Sequence, residues 1–204
     1  MYSVPNQQSV IDDLGDKFLG AFVDAVVGAK DDLEAFRERF PAWFVNFSKR
    51  FIANFIHERM WDRMIRQVSD HPGVQIVDKG SIRQIIVDQY VIRFKRHRPK
   101  MQISTYPTAG ALAFWTNKAM IPGTETHSLA LGYIWDVDEA EIKNPILSYR
   151  SALDTPEWSV ELDAPGPTAS GTTPIGWKPL TPDLPQIDLS EIVDDDAEGD
   201  ASTS

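Results

Sequence analysis

Apolar side chains recur every three or four positions through the first third of the chain, a spacing that places them on one face of a helix. A first run occupies residues 10–26, and Gly28 predicts the end of that helix. A short second helix is expected to end or kink at Pro41. A third run occupies residues 44–68 and closes before Pro72-Gly73. The phenylalanine-rich face of these helices is too apolar to be left in water, so it must cover a sheet or a partner.

After Gly73 the pattern changes to runs rich in valine and isoleucine, separated by turn residues, which predicts strands. Thr108 is placed to cap a helix that begins at the next residue. The connections are short and strands do not alternate with helices, so we expect a largely antiparallel sheet with helices packed on one face. The predicted class is α+β. The predicted strands are 74–77, 82–87, 90–95, 101–106, 128–135, 145–149 and 158–162.

This pattern divides the chain into three regions. A helical N-terminal region covers residues 1–72, and a sheet region of the same domain covers 73–162. Residues 163–204 are predicted to be a Pro/Gly-rich linker followed by a disordered acidic tail, because such a segment buries little apolar surface per ordered residue. Trp177 is the exception, and we expect it to dock back onto the domain.

The charge is unevenly distributed along the 204 residues. The formal net charge is -10, but eight acidic and no basic residues fall in 181–204, so residues 1–180 carry a net charge of -2. The acidic composition therefore does not exclude a nucleic-acid partner. The chain has no cysteine, which excludes disulfides, thiolate catalysis, iron–sulfur clusters and cysteine-based zinc sites. No long apolar window or signal-like N-terminus is present, so we predict a cytoplasmic protein with no membrane partner.

Sequence motifs give little support to familiar hydrolases, and no cofactor is predicted. His57-Glu58 opens a near match to the zinc-hydrolase helix, but Trp61 stands where the second histidine is needed, so no metal site is predicted. Arg66 and His71 have the spacing of some helical ribonucleases, although the following proline and glycine should already have ended that helix. Neither a nucleophile elbow nor a phosphate-cradling glycine loop occurs.

The strongest local feature is a basic run over residues 93–100. On a strand, Arg93, Lys95 and His97 would share one face, while Phe94 points to the other. Cations beside aromatic rings suit a phosphate backbone and stacked bases. The same run could instead protect a sheet edge from pairing, or dock the acidic tail or a partner protein. The candidate binding residues of this region are Arg93, Lys95, Arg96, Arg98, Lys100 and Trp115.

If the basic run were catalytic, the predicted chemistry would be ribonucleolysis without a metal ion. Arg93 and Lys95 would stabilise the phosphorane, and His97 or Tyr106 would move protons. The order of helices followed by an antiparallel sheet is similar to that of small bacterial ribonuclease toxins, which is an analogy of architecture alone.

The acidic tail contains a second candidate binding feature. Gln186, Ile187, Asp188 and Leu189 resemble the peptide by which bacterial proteins bind the DNA sliding clamp. Ser190 stands where that peptide has its aromatic anchor, so one apolar contact is missing. The alternatives for this segment are a plain acidic tail or an arm that docks on an antitoxin.

Three further runs carry a family resemblance: RFKRHRPKMQISTYPTAGALAFW, LALGYIWD and EWSVEL. Over about residues 80–162 they resemble a group of uncharacterised bacterial proteins encoded beside helix-turn-helix regulators in toxin–antitoxin-like or prophage operons. The resemblance implies a growth-inhibiting or regulatory protein and assigns no catalytic residue.

The sequence thus favours a toxin-type or regulatory interaction protein that binds and inhibits a target in the core machinery, such as the sliding clamp or nucleic acid. Binding is favoured over turnover because no catalytic constellation is evident. The alternatives are a metal-independent endoribonuclease that uses the basic strand 93–100, and a structural or immunity protein without a nucleic-acid role.

Overall fold

The computed structural model describes residues 4–79, 82–103, 105–116, 126–152, 156–163 and 174–180. It contains four α-helices, a single 3-10 turn at Pro99–Met101 and a seven-stranded sheet within those ranges. The helices are α1 (Gln7–Arg39), α2 (Pro41–Phe44), α3 (Lys49–Val68) and α4 (Ala109–Trp115). The strands are β1 (Val74–Lys79), β2 (Ile82–Val87), β3 (Tyr90–His97), β4 (His127–Asp136), β5 (Glu141–Tyr149), β6 (Trp158–Leu162) and β7 (Trp177–Leu180).

The first helix is longer than predicted. It begins at the Asn6 cap and runs through Gly28, so the expected stop at that glycine is wrong. A Cβ atom at Gly28 would overlap the guanidinium of Arg63 on α3. The glycine therefore permits close packing between α1 and α3 and does not end the helix. The one residue with non-helical dihedral angles inside α1 is Gly15, with φ of 75°.

A charged cluster fastens α1 to α3. The carboxylate of Asp32 accepts hydrogen bonds from Arg63 at 2.8 and 3.0 Å and from Arg59 at 2.8 Å. The hydrogen bond from Arg63 is the main reason that the pKa of Asp32 lies below its ordinary value. The two helices thus meet through a two-arginine clamp as well as through their apolar faces.

The sheet has the order β1-β2-β3-β4-β5-β6-β7, and the predicted α+β class is confirmed. Every neighbouring pair is antiparallel except β3 and β4, which are parallel and join Tyr90 to His127 through His97 to Ile134. A parallel pair requires a crossover, and α4 lies on it. The helix begins at the Thr108 cap, as predicted.

The strand predicted over residues 101–106 is wrong, because the chain turns there. Lys100 and Met101 both adopt positive φ, at 66° and 57°, and close the 3-10 turn. After the turn, pairing is confined to an isolated bridge between His97 and Ile103 among the described residues. The chain then leaves the plane of the sheet for the crossover.

The two faces of the sheet are covered by different elements. Alternate residues of each strand, such as Ile92 of β3 and Leu129 of β4, pack with α1 and α3 in the main core. On the opposite face Trp115 of α4 packs with Ile103 and Ala130 in a second, smaller cluster. The N-terminal helices therefore cover one face, and the crossover covers part of the other.

The sheet extends beyond the predicted end of the folded region near Leu162. Ile175 is buried, and Trp177 pairs with Leu162 at the start of β7. Trp177 docks back as expected, but as part of a strand. The rest of the predicted linker and tail, 164–173 and 181–204, lies outside the described residues.

Aromatic side chains gather where α1, α2 and α3 meet, and none of the residues of α2 is buried. Ring centroids of neighbouring side chains lie 4.2–5.7 Å apart. Trp43 remains 60% exposed and Phe51 44% exposed. We call this surface the aromatic tip; its rings belong to Phe36, Phe40, Trp43, Phe47, Phe51 and Phe55.

A basic cleft as the candidate functional site

The strands β2 and β3 part before they end. Their pairing runs from Val87–Tyr90 to Ile85–Ile92 and stops there. Beyond that point the two strands and α3 enclose a cleft of about 300 Å³. We call it the basic cleft; its lining residues are His57, Glu58, Ile82, Arg83, Arg93, Phe94 and Lys95.

Arg93 and Lys95, two of the predicted binding residues, both line the basic cleft. The Arg93 guanidinium lies 3.7 Å from the ring centroid of Phe114, and its Nη2 donates to Gln84 Oε1 at 3.3 Å. The Lys95 ammonium makes no ion pair or hydrogen bond with any described residue. Burial, together with the charge of Arg93, holds the pKa of Lys95 below its ordinary value. The cleft therefore contains a half-buried cation without a counter-charge.

Arg83 adds a cation from β2 that is already paired. Its guanidinium donates to Glu58 at 2.7 Å and to Asp78 at 3.2 Å, and the hydrogen bond to Glu58 is the main cause of its raised pKa. It also lies 5.6 Å from the ring of Trp61. The acids on this side of the cleft are thus committed to Arg83, which leaves both Arg93 and Lys95 without a carboxylate partner among the described residues.

His57 enters the basic cleft from α3. Its ring centroid lies 6.3 Å from that of Phe94, and its ring nitrogens make no hydrogen bond with any residue that the structure describes. Burial, and next the charge of Arg83, lowers the pKa of His57 below its ordinary value. In the sequence, His57 stands out only as part of an incomplete zinc motif. Its proximity to β3 arises from helix packing, which no local pattern reports.

A second cavity of about 180 Å³ continues from the basic cleft between α3 and the C-terminal half of β3. His57, Phe94 and Lys95 line both cavities. Arg96 and Tyr133 line the second one, so Arg96 also joins the site. Together the two cavities form a groove along β3 that has basic side chains at both ends.

His97 is not part of an exposed basic row, which corrects the predicted surface. The side chain is fully buried, and its Nε2 lies 3.0 Å from Ser148 Oγ. Burial lowers the pKa of His97 to about 3, so the imidazole is neutral at neutral pH. The parallel pairing with β4 and the crossover enclose this end of β3. His97 is therefore unsuited to carry protons for a surface reaction.

The other predicted residues lie apart from the basic cleft. Arg98 and Lys100 are exposed, and Tyr106 is 83% exposed, but none of them lines either cavity. Trp115 is fully buried in the smaller cluster on the opposite face of the sheet from α1 and α3, so it cannot stack on a base as predicted. The clamp-like peptide, residues 186–189, lies outside the described residues.

A larger cavity of about 390 Å³ lies between α1, β5 and β6, but its charges are matched. Lys30 lies 4.0 Å from Glu34 and 3.9 Å from Glu141, and Lys143 pairs with Glu139 and Glu141. Pairing with these two carboxylates raises the pKa of Lys143. Because its cations already have partners, this cavity is a weaker candidate for anion binding than the smaller basic cleft.

No family model, curated protein or solved structure matches the chain. Within the described ranges, no helix is long and apolar enough to cross a membrane. The described side chains also include no group of three or more histidines or carboxylates placed to hold a metal ion.

Proposed function

We propose that this protein is a toxin-type or regulatory interaction protein of the cytoplasm that binds a target in the core machinery, and that its basic cleft binds nucleic acid. The single observation behind the proposal is the half-buried Lys95 ammonium, which has no partner among the described residues and stands beside Arg93.

The electrostatics of the cleft support an anionic ligand. Withdrawing an ammonium group from water is unfavourable unless an opposite charge replaces the lost hydration. Arg93 increases this cost because the two cations repel each other. A phosphate placed between Lys95 and Arg93 would offset both the lost hydration of the ammonium and the repulsion between the two cations. The free site therefore favours occupation by a phosphate group.

Nucleic acid suits the groove better than an isolated phosphate does. The two adjoining cavities present Arg83, Arg93 and Lys95 at one end and Arg96 at the other. Successive cations along a groove match the repeated charges of a phosphate backbone. Residues 1–180 carry a net charge of only -2, which does not prevent such binding.

The biological setting is proposed from the sequence. The resemblance over residues 80–162 supports a toxin–antitoxin or prophage context with an antitoxin as partner. The peptide Gln186–Leu189 supports the sliding clamp as a further protein target, and no membrane partner is proposed. Induced expression in bacteria, followed by recovery of bound molecules, tests this setting: growth arrest with nucleic acid or clamp bound supports it, and normal growth with neither bound contradicts it.

Binding of the full chain to fluorescent single-stranded RNA and DNA tests the cleft. We expect an affinity that falls steeply with salt, and we expect Lys95→Gln to weaken binding to all sequences and to reduce the salt slope by about one. Lys49→Gln is the matched control, since Lys49 is an exposed lysine of α3 outside the cleft. Equal effects of the two substitutions, or no binding at low salt, would contradict the proposal.

A further inference from the structure

We propose that the basic cleft also cleaves RNA, with His57 as the general base and Lys95 as the general acid. This inference rests on the proposed function, because the cleft must first bind nucleic acid. It replaces the predicted proton carrier His97, which is fully buried against Ser148, with a histidine that reaches the cleft from another element.

The geometry brings together the groups that the reaction needs. His57 and Lys95 line the same two cavities, and neither side chain has a hydrogen-bond partner in the described part of the chain. An imidazole and an ammonium that are both uncommitted, in one polar cleft, are available for proton transfer.

The walls of the cleft supply charge stabilisation. Arg93 and Arg83 line it on the β3 and β2 sides. Negative charge grows on the non-bridging oxygens when a phosphodiester becomes five-coordinate, and fixed cations stabilise that charge more than they stabilise the ground state. Arg83 is held by Glu58 and Asp78, so its position is set before the substrate arrives.

The reaction is an internal transesterification. The 2′-oxygen of the RNA attacks the adjacent phosphorus while a ring nitrogen of His57 takes the proton of the 2′-hydroxyl. The bond from phosphorus to the 5′-oxygen breaks, and the Lys95 ammonium gives a proton to that leaving oxygen. The products are a 2′,3′-cyclic phosphate and a 5′-hydroxyl end. Proton exchange with water then returns both side chains to their starting forms.

RNA is the substrate class because it carries its own nucleophile. The 2′-hydroxyl adjoins the phosphorus, so the reaction requires neither an activated water nor a second substrate. DNA lacks this hydroxyl and is expected to bind in the cleft without being cut.

The surroundings of the two groups favour these roles at neutral pH. Burial lowers the pKa of His57, so its ring is neutral and can accept a proton. Burial also lowers the pKa of Lys95, which makes its ammonium a better acid. The charged groups around His57 are Glu58 on its own helix, Asp78 of β1, Arg83 of β2, and Lys95 of β3.

Incubation of the full chain with a 5′-labelled RNA oligonucleotide in EDTA tests the proposal. We expect fragments that end in a 2′,3′-cyclic phosphate, and no cleavage where a single 2′-deoxynucleotide replaces the nucleotide at the cut. His57→Gln is expected to reduce the cleavage rate at least about a hundredfold while RNA affinity stays within about twofold. Lys95→Arg keeps the positive charge but cannot release a proton at neutral pH, so binding should survive and cleavage should fall.

His71→Gln is the matched control, because His71 lies in the loop after α3 and lines neither cavity. Its cleavage rate should equal that of the unchanged chain. RNA that is bound but left intact, or cut equally well by His57→Gln, would overturn the cleavage proposal and leave the binding proposal standing. Absence of RNA binding would overturn both. The 2′-deoxy substrate keeps the test decisive if a variant fails to fold, because the protein is then unaltered.

Discussion

Two histidines, His57 and His97, have opposite environments in the fold. His97 is enclosed and in contact with Ser148, whereas His57 lies in a polar cleft and its ring nitrogens have no partner among the described residues. The basic run drew attention to His97 because sequence neighbours suggest a shared surface. Alternation along β3 is real, but the face that carries His97 is covered by the crossover at that end. Which histidine can act thus depends on tertiary packing.

Burial of His97 in its neutral form predicts a loss of stability in acid. Its folded pKa of about 3 lies below the ordinary value of 6.5, so the unfolded chain binds the proton more tightly, and stability falls as the pH drops from 6.5 towards 3. At a pH of about 5, His97 should account for about 2 kcal/mol of lost unfolding free energy. Urea unfolding of the unchanged chain and of His97→Gln at neutral and acidic pH measures the difference. Parallel losses in the two proteins would show that His97 does not contribute.

At the scale of single elements, the sequence correctly predicts the features that depend on the side chains of the element itself. The strand over residues 82–87 and the Thr108 cap agree with the structure because each rests on its own side chains. The helix end predicted at Gly28 is wrong, since a glycine can end a helix or admit a neighbouring side chain, and the position of Arg63 distinguishes the two cases. The parallel β3–β4 pair could not be predicted, because strand order is fixed by the crossover and the packing around it.

The close parallel pairing of β3 and β4 predicts that a substitution at Gly132 strongly destabilises the fold. A Cβ atom there would overlap the backbone carbonyl of Lys95, which cannot move without breaking the parallel ladder. We expect Gly132→Ala to lower the unfolding free energy by at least about 2 kcal/mol, as overpacking against rigid groups does. Gly110→Ala in α4 is the control, because a Cβ atom there has open space and a helical alanine should be slightly stabilising. Chemical denaturation compares the two, and an unaffected Gly132→Ala would show that this strand pair is not tightly packed.

The clamp between α1 and α3 predicts a moderate effect at Asp32. Asp32→Asn keeps the shape of the side chain but removes the charge that holds Arg59 and Arg63. We expect it to lower the unfolding free energy by about 1 kcal/mol, the range of partly exposed ion pairs, and by less at high salt. Asp24→Asn serves as control, since Asp24 is an exposed carboxylate of the same helix that has no ion pair in the described structure. Thermal unfolding at low and high salt measures the effect, and identical salt responses of the two variants would contradict it.

At the scale of the whole molecule, the basic cleft is assembled from three separated parts of the chain. Arg93 and Lys95 were evident from the sequence because basic residues are concentrated there. Arg83 and His57 were not, because their positions beside β3 depend on how β2 and α3 pack against that strand, which no local pattern shows. The sequence therefore identified the charge of the site but not the groups that complete it.

The position of β7 predicts where the folded unit ends. A chain that stops at Leu180 retains all seven strands, whereas one that stops at Asp163 loses β7 and the buried Ile175. We expect the shorter chain to be less stable by at least about 2 kcal/mol, the cost of losing a buried aliphatic side chain together with a strand. Unfolding curves of both truncated chains measure the difference. Equal stability of the two truncated chains would instead support the predicted end of the folded region near Leu162.

The aromatic tip has a practical consequence for such measurements. Environment-sensitive dyes fluoresce when they bind apolar surface, and the folded chain already offers them the exposed rings of Trp43 and Phe51. A dye-based melting curve will therefore start from a high background and understate the transition. Circular dichroism, which follows the backbone, reports unfolding without interference from the tip.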